Sequence, residues 1–148
     1  MDIEVKTFEE LNTSELYDIL QLRSEVFVVE QDCVYQDLDG KDKNALHVIG
    51  TKKGNVVAYT RIFKSGDYFK EASIGRVVVS QDERRYGYGK LIMDASIWAV
   101  KQRLAETVIK ISAQTYLTSF YNSLGFKETG DGYLEDGIPH TAMILKEV

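Results

Sequence analysis

Cysteine and proline are almost missing from this sequence, with one of each in 148 residues. A lone Cys33 closes no internal disulfide, which excludes a small stapled scaffold and leads us to expect a reducing, cytoplasmic setting. Long apolar runs are missing too. No window approaches roughly 18 consecutive apolar residues, so no membrane span is expected. Met1–Glu10 lacks the basic start and apolar stretch of a signal peptide. Positive charge is not in excess: 18 Lys and Arg against 23 Asp and Glu give a net charge of −5. That balance excludes the strongly basic footprint of a nucleic-acid binder. Low-complexity tracts, like-charge blocks and internal repeats are absent, so a single domain over 1–148 is expected. His47 and His140 are the only histidines, and they show no metal-ligand spacing. What remains is an ordinary globular composition, 44% hydrophobic and 28% charged, which by itself names no activity.

The hydrophobic pattern mixes both periods. Met1–Phe8 alternates as a first strand. Asn12 followed by Glu15 forms a capping-box pattern, and Leu16, Ile19, Leu20, Arg23 and Phe27 then follow helical spacing. Leu46–Ile49, Val56–Phe63 and Ile74–Ser80 read as strands, broken at Gly50–Gly54 and Ser65–Gly66. Asp37–Lys43 (DLDGKDK) reads as a solvated loop turning at Gly40. Tyr88–Arg103 presents Leu91, Ile92, Ala95, Trp98 and Ala99 on one helical face. A strand at Val108–Ala113 precedes a short helix at Leu117–Leu124, stopped by Gly125. Late strands at Tyr133–Glu135 and Thr141–Leu145 flank a turn at Asp136–Pro139. The class is therefore α/β or α+β around one central sheet.

The strongest local signal is IGRVVVSQDERRYGYGKLI, from Ile74 to Ile92. An apolar strand enters a polar turn, Arg84-Arg85-Tyr86-Gly87-Tyr88-Gly89-Lys90, and then an amphipathic helix. Free amides at the helix start, with the positive end of its dipole, favour a phosphate. A Walker loop is excluded because Arg84 stands where its first glycine belongs and Leu91 where its Ser or Thr belongs. A dinucleotide fingerprint is excluded because Ile92 replaces the third small residue. A plain strand–helix turn remains open on these residues alone.

Arg84-x-x-Gly87-x-Gly89, with Arg76-Val77-Val78-Val79 before it, resembles the pyrophosphate loop and splayed fourth strand of the GNAT superfamily of N-acetyltransferases. Tyr121-Asn122-Ser123-Leu124-Gly125-Phe126, after the strand Val108–Ala113, resembles that superfamily's next motif. Arg23–Tyr35 (RSEVFVVEQDCVY), Asp39, Asp42 and His47, and Glu135–Met143 (EDGIPHTAM) extend the likeness, as the ElaA-type branch, to essentially the whole chain. The resemblance implies a mixed, mostly antiparallel sheet with helices on both faces, splayed between Arg76–Ser80 and Val108–Ala113. It implies acetyl-CoA as co-substrate, an amine acceptor, no metal, and a monomer or homodimer. The coenzyme A contacts it implies are Val77, Val78, Val79, the loop Arg84, Arg85, Tyr86, Gly87, Tyr88, Gly89 and Lys90, then Gln114 and Ser119. The Val78 amide is implied as the oxyanion donor and Tyr121 as the acid that protonates the departing thiolate. A phenol near ~10 suits that task. Read alone, Tyr121 is more simply one of nine tyrosines, covering core on a helix.

The acceptor pocket is expected among Glu30, Gln31, Cys33, Tyr35 and His140. Each has a plainer reading. Glu30 and Gln31 end a helix, Cys33 shows no neighbouring base that would activate its thiol, and His140 follows Pro139 in a turn. His47, followed by Val48 and Ile49, reads as a satisfied structural histidine. Glu30 and His140 are the two candidates for the base. A longer-chain acyltransferase resembling acyl-homoserine-lactone synthases and a silent acyl-CoA-binding domain stand as alternatives.

Overall fold

The computed structural model describes residues 1–146. Eight strands join one sheet: β1 (Asp2–Thr7), β2 (Leu46–Lys52), β3 (Asn55–Phe63), β4 (Ala72–Val79), β5 (Val108–Gln114), β6 (Lys127–Glu128), β7 (Tyr133–Glu135) and β8 (Ile138–Lys146). Their order is β1-β2-β3-β4-β5-β8-β6, with β7 also on β8. Helix α1 (Thr13–Arg23) covers one face, and α2 (Tyr88–Leu104) and α3 (Thr118–Ser123) cover the other. Every strand pair is antiparallel except β4 and β5, which touch only at Ala72↔Ile109 and Ser73↔Lys110. Beyond Ser73 the two strands part. The expected splay is there, and the break falls in the middle of the sheet.

Helix α1 begins with the expected capping box: Asn12 accepts from the Glu15 amide, and Glu15 accepts from the Asn12 amide. Its buried face differs from the sequence reading, being Ile19, Leu22 and Arg23, followed by Val26. These residues pack on Ile49, Tyr59 and Val78. The reason is that the helix widens. Ser24–Glu30 is a π-helix, and its extra residue per turn shifts the buried position to Val26, leaving Phe27 half-buried against the same cluster and Glu30 exposed. On α2, Leu91 and Trp98 are exposed, while Ile92, Met93, Ser96, Ala99 and Val100 are buried. Ser96 fits this apolar seam because its hydroxyl donates to the Ile92 carbonyl and accepts from Thr60. Two turns are tighter than the sequence implied. Lys53-Gly54 and Asp136-Gly137 all have positive φ, the two-residue hairpin geometry that Gly accepts at its second position. Ile138 and Pro139 therefore belong to β8, where Pro139 faces Leu134.

The largest departure is Asp37–Lys43. Far from being solvated, Asp37 and Asp42 are 5% and 9% exposed. Arg23 Nε donates to Asp37 Oδ2 at 2.9 Å and its Nη1 to Asp42 Oδ1 at 2.8 Å. Arg61 donates to Asp39 Oδ1 and Oδ2 at 2.9 and 2.6 Å and to Asp42 Oδ1 at 3.0 Å. Arg76 Nε donates to Asp37 Oδ1 at 2.7 Å. Three cations and three anions thus cancel beneath the loop. His47 is the structural residue expected: Nε2 donates to the Asp42 carbonyl at 2.9 Å and Nδ1 accepts from the Tyr59 hydroxyl at 2.6 Å.

This cluster sets the acid limit of the fold. Burial lowers the His47 pKa below its ordinary 6.5. The unfolded chain then binds the extra proton, so stability falls as pH drops through about 6.5. Burial disfavours ionised Asp39 and Asp42, yet hydrogen bonds from Arg61 and Arg23 hold both below the ordinary 3.8. Their contribution is present above that value and is lost as pH falls through and below it. Thermal melts are expected to give a constant Tm from pH 8 to 7, a first loss by pH 5.5 and a steeper one below pH 4. A Tm unchanged down to pH 5 would remove His47 from this account.

Candidate active site

Where β4 and β5 part, a cavity of about 520 Å³ opens. Its walls are Ile74–Val79 of β4, Ile111, Ser112 and Gln114 of β5, and the π-helix with Gln31 and Tyr35. Tyr116, Leu117, Phe120, Tyr121 and the β7–β8 turn close the remaining sides. A bulge aims β4 into this space. The β3–β4 register shifts between Tyr59 and Arg61, and Arg76 takes φ +50. Such a bulge bends the strand and turns it away from its neighbour.

One end of the cavity reaches Gly89 and Arg84, at the start of α2. Gly87 caps that helix in the left-handed region, at φ +74, a conformation that glycine adopts without a Cβ penalty. No side chain caps the helix, so its first amides and dipole are left for an anion. Arg84 lies beside them but is already engaged. Its Nη1 and Nη2 donate to Glu30 Oε2 and Oε1 at 2.6 and 2.8 Å, and its Nε donates to the Val79 carbonyl at 3.2 Å. Gln31 and Gln114 bring their side-chain amides to 3.3–3.5 Å across the same opening.

Tyr121 is 6% exposed and lines the cavity. Its ring packs edge-on against Phe120 and Phe126. Its hydroxyl makes no hydrogen bond among the described residues, and burial pushes the phenol well above its ordinary value of 10.0. His140, Glu135, Tyr35 and Arg76 line the same cavity.

The fold therefore brings together most of the residues singled out from the sequence: Val77, Val78, Val79, Arg84, Gly89, Gln114, Tyr121, Glu30, Gln31, Tyr35 and His140 all line one cavity. Others fall outside its walls. Ser119 is exposed on α3. Arg85 donates to the Tyr86 hydroxyl at 2.7 Å, Lys90 pairs with Asp94 at 2.6 Å, and Tyr88 is buried. Cys33 donates its thiol to the Asp136 carbonyl at 3.4 Å and stands behind the wall. Ser112, Tyr133 and Glu135 were not singled out as site residues.

A splayed sheet with an anion-ready helix start at the mouth of its cleft defines an acyl-CoA N-acyltransferase. The chain belongs to the GNAT acetyltransferase family, whose domain model matches residues 9–147. It is 43% identical over 136 residues to protein ElaA of Escherichia coli strain K12, covering 90% of this chain and 89% of that protein. The crystal structure of E. coli ElaA superposes with a TM-score of 0.91 at 39% identity, over 98% of this chain and 99% of that one. An acyl-CoA N-acyltransferase from Pseudomonas aeruginosa gives 0.92 at 37% identity, again over 98% and 99%. The acyl-homoserine lactone synthase BjaI, solved with SAM and isopentyl-CoA, gives 0.78 at 15% identity over 99% and 83%. That last likeness is one of fold alone. Among the described residues, no helix is long and apolar enough to cross a membrane.

Proposed function

We propose that the protein moves an acetyl group from acetyl-CoA to an amine by direct attack within a ternary complex. The observation that carries this reading is the cleft itself. It joins an uncapped helix start, a tyrosine hydroxyl with no partner among the described residues and the polar side chains of Gln31, Gln114, Glu135 and His140 in one cavity. These residues fit coenzyme A. The first amides of α2 and Arg84 would take its pyrophosphate, and the unpaired edge of β4 would take the pantetheine arm. The edge amides follow from the ladder. Ser80 N–H donates to the Val57 carbonyl at 2.8 Å, and alternation along an antiparallel pair turns the Val78 amide to the same side, toward Tyr59. The Val77 and Val79 amides then face the cleft. The oxyanion role that the sequence assigned to Val78 is accordingly assigned to these neighbours.

Tyr121 is the acid of this reading. Burial holds its proton through the ground state. The thiolate that forms beside it is desolvated by the same walls, which raises its basicity in parallel. The free hydroxyl argues for a reactive cleft over a silent acyl-CoA-binding domain. A panel of acyl-CoA chain lengths separates acetyl transfer from transfer of a longer acyl chain.

Calorimetric titration with acetyl-CoA is expected to show one site per chain. Glu30→Gln should tighten it roughly three- to five-fold, because an exposed carboxylate that competes with the pyrophosphate for Arg84 is worth up to about 1 kcal/mol. No binding heat would overturn the reading. Weaker binding in the variant would overturn the competition.

A further inference from the structure

Arg76 has a nitrogen to spare. It stands at the β4 bulge, lines the cavity and keeps 18% of its side chain exposed. Nε donates to Asp37 Oδ1 at 2.7 Å, and Nη2 donates to the Asp37 carbonyl at 3.0 Å. Nη2 also reaches Asp39 Oδ2 at 3.5 Å. Nη1 makes no hydrogen bond among the described residues. Neither aspartate has an uncommitted side-chain oxygen for it. Asp37 Oδ1 also accepts from the Tyr35 hydroxyl and Oδ2 from Arg23, while both Asp39 oxygens accept from Arg61. Nor is Nη1 sealed in the protein. Arg61 Nε is the one buried side-chain nitrogen or oxygen without a partner among the described residues, so Nη1 is open to solvent.

We infer that Arg76 is the specificity-determining residue of the acceptor side, and that it binds a carboxylate carried by the acceptor amine. The inference rests on the amine-transfer reading above. A guanidinium suits a carboxylate in shape and charge, and hydrogen bonds between charged partners are the stronger kind. The three arginines and three aspartates of the cluster cancel, so an arriving carboxylate meets open N–H groups without an excess of negative charge. The guanidinium lies over the Tyr35 ring at 5.7 Å, and Tyr35 also lines the cavity. That contact and the bonds to Asp37 orient the guanidinium before any ligand arrives, which lowers the ordering cost of binding. Direction selects the acceptor over the coenzyme. The Arg76 side chain joins Asp37, which Arg23 of α1 also holds, so it leaves β4 on the α1 face. The coenzyme site begins at the start of α2, which covers the other face. Val77, whose amide faces the cleft, follows Arg76 directly, which keeps the carboxylate within a side chain's length of the attacking nitrogen. The amine end has counter-charges of its own. Glu135 and Asp136 line the same cavity, and β5 and β8 lie between β7 and β4 in the sheet. Opposite charges on the two sides of the break fit a molecule that carries both, an aminocarboxylate.

The test follows free coenzyme A thiol from acetyl-CoA at pH 7 with two matched pairs of amines. These are 4-aminobutyrate with n-butylamine, and 6-aminohexanoate with n-hexylamine. In wild-type protein the aminocarboxylate of at least one pair is expected to exceed its alkylamine about ten-fold or more in kcat/KM, the scale of a hydrogen bond to a charged group. In Arg76→Gln that ratio should fall toward one. Arg76→Lys keeps the charge without the fork and should hold an intermediate ratio; it carries the comparison if R76Q melts at a lower temperature. A wild-type ratio near one for both pairs, or a preference unmoved in both variants, overturns the inference. A second arm puts the carboxylate on the other substrate, comparing succinyl-CoA with butyryl-CoA and n-butylamine as acceptor. A preference for succinyl-CoA that Arg76→Gln abolishes, with the aminocarboxylate ratio unmoved, would give the carboxylate to the acyl group and overturn the acceptor assignment. Wild-type protein that binds acetyl-CoA but transfers to none of the four amines overturns the amine-transfer reading itself, and this inference with it.

Discussion

Tyr121→Phe is expected to lower kcat at least ten-fold, and by as much as about 10⁴-fold, with the KM for acetyl-CoA nearly unchanged. The range is that of a positioned acid. A group acting mainly in the transition state contributes little to ground-state binding, so the loss falls on kcat. The structure makes this substitution unusually clean. The hydroxyl has no partner among the described residues, and the ring keeps its edge-on contacts with Phe120 and Phe126. Removing it orphans nothing, so the thermal melt should not move downward. Steady-state kinetics paired with that melt separates the acid from a mere core-covering ring. Unchanged turnover in the variant would leave water as the proton donor.

The largest expected effect on stability comes from Arg23→Ala. Arg23 is fully buried and bridges Asp37 and Asp42, while Asp37 also holds Arg76 of the cleft wall. Its removal leaves two buried carboxylates short of a partner. Breaking a buried pair from one side costs about 3–5 kcal/mol. For a chain of this size that is a fall in Tm on the order of 10 °C. Urea unfolding at pH 7 measures it. A loss under about 1 kcal/mol would show that Arg61 and Arg76 suffice to neutralise the loop. The variant should also disturb the cleft, because Asp37 positions both Arg76 and Tyr35.

What was legible in the sequence, and what was not, divides along a physical line. The α1 capping box is a contact over three residues, and the entry of β4 into the glycine turn and α2 is a local backbone pattern. Both were readable, as was the Tyr121 motif through its likeness to a family. Arg23 was placed on an apolar helical face, and Asp37–Lys43 was read as a solvated loop. Each reading was reasonable alone, since only long-range pairing makes a buried arginine and a buried aspartate acceptable. The π-helix went unread for a similar reason: Ser24–Glu30 has ordinary helical composition, and its extra residue per turn shows only in packing. On the reading proposed above the oxyanion donor moves from the Val78 amide to its neighbours, because bond direction along a strand depends on which residue of the neighbouring strand lies opposite. The β3–β4 bulge sets that register. The pairing of His140 with Glu135 needed the two-residue turn at Asp136-Gly137, one residue pair tighter than the turn expected from Pro139.

The parting of β4 from β5 also bears on solubility. A strand edge with vacant amides and carbonyls is ordinarily an invitation to other chains, and proteins blunt such edges with charge, prolines or short strands. Here the vacant edge lies in the middle of an eight-stranded sheet, walled by the π-helix on one side and by Phe120 and Tyr121 on the other. A single extended thread can slide into that slot lengthwise, but a second folded sheet cannot approach it. The molecule thus keeps an unfinished ladder available to a narrow ligand without exposing a template for aggregation.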